Sequence, residues 1–127
     1  VCVNTFIQHG AAAGLADDQG PVDEMLNAFT ERSKVMYEGL KSIEGMTVAK
    51  PTGAFYAFPN IKNFGESSEE VAEYLLNEHA IATIAGSVFG AAGEGYIRLA
   101  YSCSKEDCER GVERLAGALE AKMKAGA

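Results

Sequence analysis

The 127-residue sequence has no cluster of basic residues; 11 lysines and arginines are scattered among 18 acidic residues, for a net charge of −7. That balance argues against nucleic-acid partners and anionic membrane surfaces, both of which draw on basic patches. No apolar run approaches the roughly 20 residues that a membrane-spanning helix needs. Cysteines are few and odd in number (Cys2, Cys103 and Cys108), without metal-like pairing, which points to a reducing, cytoplasmic setting and to packing roles for Cys103 and Cys108. No His/Cys/carboxylate group has metal spacing, no Gly-x-Gly-x-x-Gly follows a strand, and no Walker loop is present. Internal repeats and low-complexity segments are absent too. The chain starts at Val1-Cys2-Val3-Asn4, with neither an initiator methionine nor signal-peptide anatomy, as a piece of a longer protein would.

What the sequence does have is a stretch from Gly86 to Ser102 that opens as a glycine-rich loop and ends as a short apolar strand, Tyr96 to Tyr101. Strand alternation puts Ile97, Leu99 and Tyr101 on one face and Tyr96, Arg98 and Ala100 on the other. Arg98 cannot shed its charge, so it requires water or an anion. Three roles are open to it from spacing: an edge-strand charge that blocks wrong pairing, an ion pair with Glu94 or a helix carboxylate, or a planar fork for a carboxylate or phosphate. Gly93-Glu94-Gly95 just before it lets backbone approach a neighbour closely.

Along the chain, Thr5 to Ala16 reads as a helix rich in small residues, carrying His9 as a surface or packing residue. Pro21 fits the first turn of a second helix, with Asp23 and Glu24 at its positive end and Gly45 past its close. Val22, Met25, Leu26, Phe29, Met36, Leu40 and Ile43 form one apolar stripe along it. At about 1.5 Å per residue the helix is roughly 35 Å long. Residues 46–50 and 54–58 read as a hairpin turned by Pro51-Thr52-Gly53. Ser67 and Glu70 form a capping box for a helix carrying Val71, Ala72, Leu75 and Leu76 inward. Residues 80–84 read as a short buried strand. Ser104 and Asp107 cap a last helix with Cys108, Val112, Leu115, Leu119 and Met123 on its apolar face. Ser102-Cys103-Ser104-Lys105 matches a Ser-x-x-Lys nucleophile pattern, but its companion motifs are missing and a helix cap explains it better. The element order predicts an α+β fold in two layers, helices packed on one face of a small, mostly antiparallel sheet, with residues 1–127 as a single domain.

Phe6-Ile7-Gln8, Pro51-Thr52-Gly53-Ala54-Phe55-Tyr56-Ala57-Phe58-Pro59, Gly86-Ser87-Val88-Phe89-Gly90 and Gly93-Glu94-Gly95-Tyr96-Ile97-Arg98-Leu99-Ala100-Tyr101 resemble, in order and spacing, the C-terminal small domain of fold type I pyridoxal-phosphate aminotransferases of the aspartate aminotransferase type. The resemblance implies amino transfer between a 2-amino acid and a 2-oxo acid in the parent enzyme. It implies that Arg98 grips the substrate α-carboxylate and that the Gly53 turn and the Phe89 loop approach the substrate. Residues 1–20 would lead toward a missing N-terminal large domain, and the helix from Pro21 matches the one that links the two domains. Closure of the small domain would expel water and strengthen charge contacts.

The departures are instructive. Ala85 stands where the family has proline. The Schiff-base lysine, the aspartate partner of the pyridine nitrogen and most phosphate contacts lie upstream in the family, and none of the seven lysines here matches that motif. The chain alone is therefore expected to hold neither the catalytic residues nor the cofactor-binding residues for pyridoxal 5'-phosphate, and to be inactive. Surface that the missing domain would cover predicts self-association into a homo-oligomer, such as a dimer. Two other readings remain open: a stand-alone, non-enzymatic module binding a small carboxylate through Arg98, and a same-fold lyase or decarboxylase.

Overall fold

The computed structural model describes residues 2–65 and 67–125, and the elements run α1 (Thr5–Ala16), α2 (Gly20–Ser42), β1 (Tyr56–Ala57), α3 (Ser68–His79), β2 (Ile84–Ala85), β3 (Ile97–Ala100) and α4 (Lys105–Ala125). Local chemistry sets most helix ends. Pro21 sits in the first turn of α2, where its missing N–H costs nothing. The Ser67 hydroxyl accepts the Glu70 N–H at 3.1 Å to open α3, and Ser104 does the same for Asp107 at 3.0 Å before α4. Ala80 closes α3 in the left-handed region at φ 51°, where its N–H and that of Ile81 satisfy the last carbonyls.

The sheet is antiparallel, with β3 between β1 and β2. Tyr56 and Ala57 face Ala100 and Leu99, while Ile84 and Ala85 face Arg98 and Ile97. The inner face of β3 (Ile97 and Leu99), continued by Tyr101, is buried with Ala57 against Met36 and Leu40 of α2 and Leu115 and Leu119 of α4. Each fully buried leucine here stabilises the fold by about 2 kcal/mol. The α+β, two-layer plan read from the sequence is the one observed.

Four local expectations are corrected. Residues 46–50 and 54–58 do not form a hairpin: Thr47 makes a single bridge to Asn60, and β1 pairs with β3 instead. Burial alternates along 96–101, with Ile97, Leu99 and Tyr101 inward, and β3 pairs along both its edges. The strand placed at 80–84 shrinks to Ile84–Ala85, because Ala80 is spent on closing α3, and Ile84 is exposed rather than buried. In α3, Val71 and Leu75 are buried but Leu76 is half exposed, since α3 buries a narrow stripe only. The stripe on α2 is likewise buried only in its second half, at Met36 and Leu40, with Val22, Met25 and Leu26 left exposed. No residue of α1 is buried. No helix among the described residues is long and apolar enough to cross a membrane.

Candidate functional site

Arg98 projects from the face of β3 opposite the core and is half-buried. Its guanidinium carbon lies 4.4 Å from the centroid of the Tyr56 ring and 4.7 Å from that of Phe89. Behind these rings Phe58 stacks on Tyr96 at 5.2 Å, nearly parallel, and meets Phe89 edge-on at 6.0 Å. Both contacts to Arg98 are cation–π, which fix where the charge stands without neutralising it. Among the described residues the Arg98 guanidinium has neither an ion pair nor a hydrogen bond. A half-buried fork held by rings and left without an acceptor suits an incoming carboxylate or phosphate, taken in two parallel hydrogen bonds.

Glu94, one ion-pair partner that spacing allowed, is committed elsewhere. Its carboxylate accepts the Ser68 N–H at 2.7 Å, the Ser68 hydroxyl at 3.0 Å and the Gly95 N–H at 2.9 Å. The Ser68 backbone N–H, and after it that of Gly95, holds this carboxyl below its ordinary pKa. The Ser68 hydroxyl also accepts the Ser87 N–H at 3.2 Å, and the Ser87 hydroxyl reaches Glu69 at 3.2 Å. Residues 86–93, two short 3₁₀ turns, are thereby tied to the start of α3, and this loop presents Phe89 to Arg98. Gly86 and Gly93 lie backbone to backbone, so that a Cβ on either would fall on the other's carbonyl oxygen. That close approach is the reason glycine stands at both places.

Two of the three residues singled out from the sequence thus meet: Arg98 and Phe89. Gly53 lies apart, lining a separate cavity of about 360 Å³ between α2 and the 50–54 turn, beside Phe29, Tyr37, Lys50 and Tyr101. The rings of Tyr56, Phe58 and Tyr96 and the Ser68–Ser87–Glu94 tie escaped the sequence reading. Tyr56 and Phe58 share one face of their strand by alternation, as Tyr96 and Arg98 share theirs, and that was the available signal. The Ser-x-x-Lys run is a helix cap: Ser104 binds the Asp107 N–H, and Lys105 lies 3.9 Å from Glu31. Cys108 is buried as expected of a packing residue, but Cys103 is exposed and is not one. No group of three or more potential metal ligands occurs among the described residues.

Residues 1–115 match the family described as aminotransferase class I and II. The chain is 40% identical over 123 residues to an aspartate aminotransferase of Pyrococcus abyssi, covering 95% of this chain and 31% of that protein. It is 38% identical over 123 residues to aromatic-amino-acid aminotransferase 2 of Thermococcus litoralis, covering 95% of this chain and 31% of the relative. Among solved structures, an aromatic aminotransferase from Pyrococcus horikoshii OT3 superposes with a TM-score of 0.87 at 38% identity, over 95% of this chain and 33% of that one. The chain therefore spans about 31% of the length of the curated relatives it matches.

Proposed function

Because the chain belongs to the aminotransferase class I and II family, we propose that it is the substrate-clamping segment of an enzyme moving an amino group between a 2-amino acid and a 2-oxo acid. The observation that carries this reading is the guanidinium of Arg98, set between Tyr56 and Phe89 with no acceptor among the described residues. Its fork takes the α-carboxylate in a bidentate grip and so fixes the orientation of the bond to be broken. The relatives named are aminotransferases, which favours this reading over a stand-alone carboxylate-binding module or a lyase or decarboxylase. Relatives named for aspartate and for aromatic amino acids match at 40% and 38% identity, and we place the reading of the substrate side chain elsewhere in the protein.

The proposed cofactor of the whole enzyme is pyridoxal 5'-phosphate, but the residues of this chain do not fit as its anchor. Lys105, Lys122 and Lys124 pair with Glu31, Glu70 and Glu120, and Lys41 and Lys62 lie over Tyr37 and Tyr96. Lys34 and Lys50 border the separate cavity that Gly53 lines. The anchoring groups belong to the remainder of the protein, toward which residues 1–20 lead. The setting proposed is the cytoplasm, and the assembly a homo-oligomer.

The test is Arg98→Lys in the full-length protein, which keeps the charge and loses the fork. The expected outcome is a fall in kcat/KM of about a hundredfold, the loss of roughly one charge-assisted hydrogen bond of about 3 kcal/mol. An unchanged kcat/KM would overturn the assignment of Arg98.

A further inference from the structure

We propose that Cys103 and Cys108 form a thiol–disulfide exchange site, in which a low-molecular-weight disulfide oxidises the pair to an intramolecular bridge across the start of α4. The two sulfurs lie 3.5 Å apart, in van der Waals contact. Cys103 is exposed in the irregular link between β3 and α4, whereas Cys108 is buried in the first turns of α4. A disulfide needs its sulfurs at about 2.0 Å, so the gap closes by about 1.5 Å. The link residue can supply that movement by rotation of its side chain, because Cys103 is held by neither a strand nor a helix. The thiols also border a cavity of about 190 Å³ with Met36, Ile81, Leu99 and Val112, which leaves a small reagent room to approach.

The division of labour follows from exposure. The Cys103 thiolate attacks a small disulfide RSSR, forming Cys103–S–SR and releasing one thiolate RS⁻. Cys108 then gives up its proton to solvent, attacks Cys103 Sγ and expels the second RS⁻. Two S–H bonds are lost and one S–S bond is gained, while RSSR is reduced to two RSH. Burial first, and then the neighbouring Cys103, pushes the Cys108 thiol up to about 12. Arg32 opposes that shift and Asp107 adds to it.

The test uses the chain carrying Cys2→Ser, incubated with a series of oxidised-to-reduced glutathione ratios, alkylated and digested with trypsin. Cleavage after Arg98, Lys105 and Arg110 separates the two cysteines into peptides 99–105 and 106–110. The expected result is that these peptides become joined by a reducible link as the ratio rises, with the intact mass lower by two hydrogens. Cys103→Ser should abolish the reaction, and Cys108→Ser should instead accumulate glutathione on Cys103. A lasting glutathione adduct on Cys103 with Cys108 present would overturn the proposal. So would the absence of any reaction across the series. Cys103→Ser alters an exposed position only, so a failure of Cys108→Ser to fold leaves the comparison intact.

Discussion

At the scale of single residues, Arg98 is a cation whose position is fixed by rings while its charge remains available. Aromatic rings do this where a carboxylate would not: an internal Asp or Glu beside Arg98 would compete with the substrate for the same fork. Glu94 illustrates how the fold avoids that competition. It stands four residues from Arg98 in sequence, yet its oxygens are occupied by Ser68 and Gly95. Its lowered pKa makes the tie dependent on pH. A carboxyl with a folded-state pKa below its unfolded value stabilises the fold above the unfolded value and loses that contribution as pH falls through the folded one. In Glu94→Gln, amide exchange in residues 86–93 is expected to quicken at neutral pH, and the difference from the parent chain should shrink as acid is added below the ordinary carboxylate range. A difference that grows in acid would contradict the tie.

At the scale of elements, the loop from Gly86 to Gly93 carries most of the geometry. Gly86→Ala sets a methyl group against the carbonyl of Gly93, and backbone rather than a yielding side chain has to move. The expected cost is about 2 kcal/mol or more in chemical denaturation, with Phe89 displaced from Arg98. A cost below about 0.5 kcal/mol, the range of an ordinary surface change, would mean that the two backbones are not in contact. Helices were largely legible from sequence because their signals are local: Ser67 and Ser104 mark two starts, and α1 runs over the residues its composition suggested. Pairing was not. Tyr56 chooses Ala100, 44 positions away, over the adjacent 46–50 segment, and no turn residue announces that choice. The site divides in the same way. Arg98 stood out as the one charge in an apolar strand, whereas the ring of Phe89 reaches it only because Ser68 and Ser87 hold the loop from a third element. The stripe on α2 was read correctly as apolar, but periodicity does not say which turns find a partner; Met36 does and Met25 does not.

At the scale of the whole molecule, the described residues divide into a packed part and an uncovered one. Phe6 is 74% exposed, Leu15 85% and Leu26 62%, all on the first two helices, although the core around Leu40 and Leu119 is closed. Such a surface is costly in water and seeks cover, which in the full-length protein we assign to the remainder of the chain. The isolated chain is accordingly expected to self-associate with rising concentration in sedimentation velocity, and Phe6→Glu with Leu15→Glu to reduce that association while leaving the unfolding midpoint nearly unchanged. A single monomeric species at all concentrations would contradict this. The isolated chain is also expected to lack transaminase activity, since five of its seven lysines are paired or lie over rings and the other two border the separate cavity beside Gly53.

The most direct test of the clamp compares two substrates in the full-length protein: an amino acid and the amine that differs from it only by lacking the carboxylate. With Arg98 in place the acid should be favoured by a large ratio of kcat/KM. In Arg98→Leu that ratio should collapse toward one, chiefly through loss of activity on the acid. A ratio that survives the substitution unchanged would show that some other group holds the carboxylate.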